Sequence, residues 1–160
     1  MVTSICDRVL VIGIGNHSRG DDGAGIHAVR LLRGETNAEI LEMNGEAAAL
    51  INAWEGASAV ILIDAVHSGR KPGTIIRLDA HAAKLPGNIF HCSTHSFGLA
   101  EALELARALR RLPPRFVIYG IEGAVFEAGA MLSDEVQIAA REVAERVRHE
   151  IERMNPAKTR

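Results

Sequence analysis

Two adjacent carboxylates, Asp21 and Asp22, are the first residues of the chain whose type and position could do chemistry. They follow residues 9–15, VLVIGIG, an apolar run typical of a strand buried on both faces of a parallel sheet. An Asp at a helix start often caps the helix, and one cap needs only one carboxylate. Sites in such sheets form at the carboxyl ends of the strands, so Asp22 is a candidate metal ligand or acid–base group. Asp21 is expected to cap the first helix or to act as a base.

The glycines of the same stretch raise the alternative of a dinucleotide-binding loop. Gly13 and Gly15 supply the start of the G-x-G-x-x-G pattern, but Ser18 replaces its third glycine. A helix N-terminus attracts phosphate through its free N–H groups and its dipole. Two carboxylates at that position would already interact with these groups, and their negative charge would repel phosphate. Asp21 and Asp22 therefore disfavour a nucleotide cofactor. Purified protein carrying a flavin would be visibly yellow.

Asp64 is the second candidate, because it interrupts residues 58–66, SAVILIDAV, an otherwise apolar strand. Burying an unpaired carboxylate is costly, so this side chain caps the loop that follows, lines a solvated cleft or binds a cation. In a doubly wound sheet, the end of this strand should lie beside the end of the first strand, near Asp22. The position near a second carboxylate favours a functional role over a simple cap.

His95 is the third candidate and stands at the expected start of a helix over residues 95–111. The helix dipole disfavours a cationic imidazole there, so we expect a neutral imidazole, which is the metal-binding form. A partly buried histidine bonded to a backbone carbonyl is the alternative. Cys92 and His95 also have C-x-x-H spacing, but no second pair completes a structural zinc site and no third group orients a Cys–His nucleophile.

The order of the expected elements indicates an α/β fold with three layers, α/β/α. After the first strand we expect strands at residues 38–43, 58–66, 74–78 and 116–121, and helices at residues 21–32, 46–54, 95–111 and 133–154. Only a short turn joins the third strand to the fourth, so these two cannot run parallel. The sequence therefore predicts a mostly parallel, twisted five-stranded sheet with one antiparallel edge strand and helices on both faces. Residues 1–154 are expected to form one domain, and residues 155–160 a flexible tail.

Composition describes an ordinary globular protein of 160 residues, with 48% hydrophobic residues, 24% charged residues and a formal net charge of −2. It lacks a basic run interleaved with aromatic residues, which argues against nucleic acid as a partner. No apolar segment approaches the roughly 20 residues of a membrane span, and residues 1–7 lack a signal-peptide pattern. Cys6 and Cys92 form no disulfide framework. We therefore expect a cytoplasmic protein with no membrane partner.

These residues and their order resemble the nickel-iron hydrogenase maturation endopeptidases over nearly the whole chain. The first family motif is G-x-G-N, four residues, then D-D/E-G-x-G, and the chain matches it at Gly13, Gly15, Asn16, Asp21, Asp22, Gly23 and Gly25. The second family element, an apolar strand ending in Asp, matches at Asp64. The third, S-x-H with a leucine four residues later, matches at Ser93, His95 and Leu99.

The resemblance implies an endopeptidase that removes the C-terminal peptide of a hydrogenase large-subunit precursor after nickel insertion. It assigns metal contact and catalysis to Asp22, where many relatives have Glu, and to Asp64 and His95. The nickel is expected to arrive with the substrate, and no nucleotide cofactor is expected. Two carboxylates and an imidazole suit nickel or zinc by ligand type, without selecting between them.

The chain departs from the family pattern at two places. Residues 44–47, NGEA, stand where the family usually has D-G-G-T, and only the glycine keeps its place. Residues 121–123, IEG, stand where I-x-P is frequent. The first of these loops is expected to border the peptide cleft, so its departure suggests a divergent subgroup or a different hydrogenase. It also keeps open the alternative of a non-hydrolytic, nickel-dependent binding or checkpoint protein that uses the same ligands.

Overall fold

The computed structural model describes residues 7–82 and 98–154. Along the chain, the elements are β1 (Val9–Ile14), α1 (Ala24–Leu32), β2 (Glu39–Met43), α2 (Ala47–Trp54), β3 (Ala59–Val66), β4 (Ile75–Asp79), α3 (Leu99–Ala108), β5 (Arg115–Glu122) and α4 (Asp134–Met154). A short 3-10 helix, Gly20–Gly23, precedes α1. Each expected strand and helix is present, with bounds that shift by a few residues.

The strands form one sheet in the order β2-β1-β3-β5-β4. β1, β2, β3 and β5 run parallel, whereas β4 pairs antiparallel with β5 at the sheet edge. The prediction of a mostly parallel sheet with one antiparallel edge strand is confirmed. After β1 the chain continues to β2, which lies on one side of β1, and after β3 it continues to β4 and β5, which lie on the opposite side of the sheet. The carboxyl ends of β1 and β3 are therefore the point at which the strand order reverses, where ligands bind in open α/β sheets.

Helices cover both faces of the sheet and divide the core in two, so the three-layer architecture is also confirmed. α1 and α4 pack on one face, and α2 and α3 pack on the other. Successive residues of a strand alternate between these faces. The residues of β1 and β3 that face α1 and α4 include Val9, Val11, Ile61 and Ile63. The residues of these strands that face α2 and α3 include Leu10, Ile12, Val60 and Leu62.

The long last helix agrees closely with its sequence pattern. The helical spacing of its apolar residues predicts a core stripe, and the structure buries all five of them, Val136, Ala140, Val143, Val147 and Ile151. Within residues 7–82 and 98–154, every helix is too short or too polar to cross a membrane. The polar face of α4 instead carries surface ion pairs such as Arg146 with Glu142.

The helix expected from His95 begins later, so that prediction was wrong at its start. Gly98 is the N-cap residue, with φ −94° and ψ −159°, and the helical residues begin at Leu99. The backbone N–H of Gly98 donates to the Glu101 carboxylate at 2.9 Å, which satisfies a donor at the start of the helix. The helix also ends earlier than expected, at Ala108, and Leu109 just beyond it is 51% exposed. His95 itself lies outside the described residues.

Candidate active site at the carboxyl edge of the sheet

The first two candidate carboxylates lie at the same edge of the sheet. β1 and β3 are parallel neighbours, so the chain leaves both at one edge. The segment after β1 carries Asp22, and Asp64 lies two residues before the end of β3 at Val66. This edge contains the point at which the strand order reverses. The fold therefore brings together two of the three residues selected from the sequence.

Asp64 is buried, with only 4% of its surface exposed. Burial raises the pKa of its carboxyl well above the usual range, and the negative charge of Asp22 raises it further. A hydrogen bond from the backbone N–H of Ala65 acts in the opposite direction. The two carboxylates are therefore close enough for the charge of one to disfavour ionisation of the other. A divalent cation between them would relieve this repulsion.

The glycines of the first motif allow Asp22 to reach this edge. A Cβ at Gly15 would lie 1.9 Å from the carbonyl oxygen of Asp22, and φ at Gly15 is +145°, a conformation that favours glycine. A Cβ at Gly25 would lie 2.2 Å from the carbonyl oxygen of Ile63, so α1 packs directly against the backbone of β3. The backbone N–H of Asn16 donates to the Asp22 carboxylate at 3.1 Å. The motif thus allows close packing of the turn that carries Asp22.

The expectation that Asp21 caps the first helix was wrong. Asp21 is fully buried and points toward the β5–α4 connection, residues 123–133. Its carboxylate accepts hydrogen bonds from the backbone N–H groups of Ala124 and Val125, at 2.8 and 3.0 Å. It also accepts from the backbone N–H and the hydroxyl of Ser133, at 2.8 and 3.0 Å. Both oxygens are occupied by structural donors, so Asp21 holds this connection against the turn that carries Asp22.

The loop that departs from the family's D-G-G-T pattern forms a turn and a helix cap. The Asn44 side-chain oxygen accepts from the backbone N–H of Glu46 at 3.1 Å, and Gly45 has φ +91°. The Glu46 carboxylate then accepts from the backbone N–H groups of Ala48 and Ala49, at 3.0 and 2.9 Å. Glu46 therefore caps α2, and this use of its carboxylate is local.

Glu122 is a buried residue of this edge that sequence reasoning did not single out. It is the last residue of β5, is 1% exposed, and binds the β3–β4 connection, residues 67–74. The signal that could have found it is the one that found Asp64, a carboxylate at the end of an apolar strand. In the sequence, Glu122 is distinctive only as part of IEG, which stands in place of I-x-P.

Gly123 explains why proline does not fit at this point of the chain. Its backbone N–H donates to the carbonyl of Val66 at 3.0 Å, and proline has no N–H. A Cβ at Gly123 would lie 2.6 Å from the Phe126 ring and 2.9 Å from the Asp21 Cβ. The Phe126 ring in turn stacks on His67, with ring centroids 5.3 Å apart. The aromatic pair therefore occupies the space that a larger residue at position 123 would need.

The third candidate ligand is not part of this geometry. His95, with Cys92 and Ser93, lies in residues 83–97, outside those that the structure describes. Within the described ranges, no group of three His, Cys, Asp or Glu side chains could hold a metal ion. For a cation at this edge, Asp22 and Asp64 would offer carboxylate oxygens only, and a mixed oxygen and nitrogen set would require a further residue or the substrate.

The fold and this edge define the class of the protein as a doubly wound α/β protein with an acidic site where the strand order reverses. Residues 26–150 match the family described as hydrogenase maturation protease. This match spans more than half of the chain, and the protein belongs to the hydrogenase maturation protease family.

Curated relatives agree with this assignment. The hydrogenase expression/formation protein HupD of Bradyrhizobium diazoefficiens is 33% identical over 128 residues, which cover 76% of this chain and 66% of that protein. HupD of Thiocapsa roseopersicina is 29% identical over 119 residues, which cover 72% of this chain and 54% of that protein. The chain thus spans about half to two thirds of the length of these relatives.

Solved structures share the fold over most of the chain. The nickel-iron hydrogenase maturation protease HybD from Thermococcus kodakarensis is 30% identical and superposes with a TM-score of 0.74, covering 90% of this chain and 99% of that chain. An endopeptidase from Escherichia coli has a TM-score of 0.76 at 23% identity, covering 91% of this chain and 93% of that chain. The second likeness concerns the fold alone.

Proposed function

We propose that this protein is an endopeptidase that removes the C-terminal peptide of a nickel-iron hydrogenase large-subunit precursor after nickel insertion. The observation that carries the proposal is the buried carboxyl of Asp64, whose pKa is raised by its burial and by the charge of Asp22. Two carboxylates that disfavour each other's ionisation at the edge where the strand order reverses suit a cationic ligand. Membership of the hydrogenase maturation protease family supplies the substrate class.

In this proposal, Asp22, Asp64 and His95 contact nickel that the substrate itself carries. Two carboxylates and a neutral imidazole form a mixed oxygen and nitrogen set suited to nickel. Contact with the nickel positions the adjacent peptide bond for attack by water. The water oxygen adds to the carbonyl carbon, the C–N bond breaks, and the leaving nitrogen takes a proton. Recognition of substrate-bound nickel makes cleavage conditional on completed nickel insertion.

The location and the substrate are further parts of the proposal. We place the reaction in the cytoplasm, as the sequence pattern of the two cysteines suggests. The loop at residues 44–47 forms a turn and a helix cap in this chain. Because Asn44 stands where the family's D-G-G-T has Asp, the loop lacks the carboxylate of that position. We therefore expect the protein to serve a hydrogenase whose precursor differs at the segment that this loop meets.

The same loop favours a second candidate function, a nickel-dependent binding or checkpoint protein that does not hydrolyse the precursor. Asn44 replaces the family's usual Asp in this loop, and its side-chain oxygen is engaged by the backbone N–H of Glu46. An amide there cannot act as a base. Such a protein would still bind a nickel-loaded precursor through Asp22 and Asp64.

Mass spectrometry of a nickel-loaded large-subunit precursor incubated with the protein tests the proposal. The comparison includes Asp22→Ala, Asp64→Ala and His95→Ala, a nickel-free precursor, and Glu142→Ala as a control at an exposed ion pair of α4. We expect loss of a C-terminal peptide only with nickel and with the three residues intact. Nickel-dependent binding without cleavage would favour the checkpoint function. Cleavage by all three variants would show that the site lies elsewhere.

A further inference from the structure

Glu122 binds the β3–β4 connection through its side chain and its backbone. Its carboxylate accepts from the backbone N–H groups of Ser68 and Gly69, at 2.9 and 3.1 Å, and from the Ser68 hydroxyl at 2.7 Å. Its own backbone N–H donates to the carbonyl of Thr74 at 2.9 Å, and its carbonyl accepts from the N–H of Gly73 at 2.8 Å. Both ends of the connection are therefore held by one glutamate.

Glu122 lies on the same face of the sheet as Asp64. Val66 stands opposite Glu122 in the parallel pairing of β3 and β5, and it is two residues beyond Asp64. Side chains on a strand alternate, and Val66 faces α2 and α3, so Asp64 and Glu122 are assigned to that face as well. Two residues of a strand span about 7 Å. Glu122 therefore fixes the chain just beyond the candidate carboxylate.

The connection that Glu122 holds follows β3 directly after Asp64, at the edge where the proposed function places the substrate peptide. Residues 67–71 are exposed to solvent. An exposed segment with few apolar contacts opens readily unless hydrogen bonds to a buried group restrain it. Hydrogen bonds to a charged acceptor are the stronger kind, and the Glu122 carboxylate supplies three of them.

We propose that Glu122 is a positioning residue of the cleavage reaction, acting through the β3–β4 connection as one wall of the path by which the peptide reaches Asp64. This inference rests on the proposed function. Asp64 is held separately by the pairing of β3 with β5. Release of the connection should therefore weaken binding of the peptide more than it slows the hydrolytic step.

Steady-state cleavage of the nickel-loaded precursor by Glu122→Gln tests this assignment, because glutamine keeps the size of the side chain and removes its charge. We expect KM to rise about five- to tenfold while kcat stays within about twofold. Glu150→Gln is the matched control. Glu150 is also a buried glutamate, 5% exposed, but its partners Tyr119 and Arg77 lie away from this edge. We expect the control to lose stability with an unchanged KM.

A second variant keeps the test decisive if Glu122→Gln does not fold. Ser68→Ala removes only the hydroxyl donor to Glu122, and we expect it to raise KM about two- to threefold. Where both variants fold, the double variant should resemble Glu122→Gln alone. An unchanged KM in the folded variants, or an equal change in Glu150→Gln, would overturn the positioning role while wild-type cleavage stands. Failure of the wild-type protein to cleave would overturn the proposed function and this inference together.

Discussion

The backbone N–H and the hydroxyl of Ser133 both donate to the carboxylate of Asp21, a residue 112 positions earlier in the chain. Ser133 immediately precedes α4, and Asp21 immediately precedes Asp22. One fully buried carboxylate therefore connects the start of the last helix to the turn that carries a candidate ligand. The two adjacent aspartates of the motif have different environments, one enclosed by protein donors and one half-buried at the sheet edge.

Asp21→Asn should destabilise the fold. An asparagine would turn its NH₂ group toward backbone N–H donors and leave at least one of them without an acceptor. We expect a loss of about 1 to 3 kcal/mol in the free energy of unfolding, measured by urea denaturation. Asp134→Asn, at the exposed first residue of α4, should change it much less. A fully stable Asp21→Asn protein that no longer cleaves precursor would instead show that Asp21 takes part in the reaction.

Asp64→Asn should stabilise the protein at neutral pH while abolishing nickel-dependent cleavage. The folded state raises the pKa of the Asp64 carboxyl, so ionisation of this group costs more free energy in the folded state than in the unfolded state. An asparagine does not ionise and therefore avoids this cost. The amide oxygen can still accept the Ala65 N–H. We therefore expect a higher free energy of unfolding than that of the wild-type protein at neutral pH. Glu142→Gln, at an exposed position, should leave stability nearly unchanged, and a destabilised Asp64→Asn protein would contradict the assigned electrostatics.

Ionisation of Tyr119 should lower the stability of the folded protein at alkaline pH. Burial, and then its hydrogen bond to the Glu150 carboxylate, raise the pKa of Tyr119 from 10.0 to about 12. The folded state therefore keeps this proton where the unfolded state has lost it, and stability declines as pH rises from about 10 through about 12. We expect a loss on the order of 2 kcal/mol over this window.

The chain contains one tyrosine, so the ultraviolet absorbance of tyrosinate reports this residue alone. Tyr119→Phe should remove the alkaline loss that depends on this group. A titration midpoint near 10 in the folded protein would show that the bond to Glu150 does not hold the proton.

Gly25→Ala should be strongly destabilising for steric reasons alone. Its Cβ would lie 2.2 Å from the Ile63 carbonyl oxygen and 2.6 Å from that of Ile14, and neither backbone atom can move without disturbing the sheet. We expect a loss of about 2 to 3 kcal/mol or more in the free energy of unfolding. Gly34→Ala is the matched control, because position 34 has open space but φ +81°. Gly34→Ala should lower the free energy of unfolding by only about 1 kcal/mol. An equal loss in the two variants would argue against close packing of α1 on β3.

Local sequence pattern determined most of the fold. The apolar runs of β1 and β3 predicted buried parallel strands, and the spacing of Val136, Val143 and Ile151 predicted the buried stripe of α4. The short connection after β3 predicted the antiparallel edge strand. These features follow from side-chain periodicity and chain length over a few residues, so they are readable without knowing which elements meet.

Contacts between distant segments determine the environment of each carboxylate at the sheet edge. The family resemblance selected Asp22 as the candidate ligand, but the burial of Asp21 against the β5–α4 connection depends on donors about a hundred residues later. Glu122 binds donors of a connection more than fifty residues earlier in the chain. At the start of α3, the backbone N–H of Gly98 donates to the side chain of Glu101. The environment of a buried charge depends on donors from distant segments, and a linear pattern does not contain those distances.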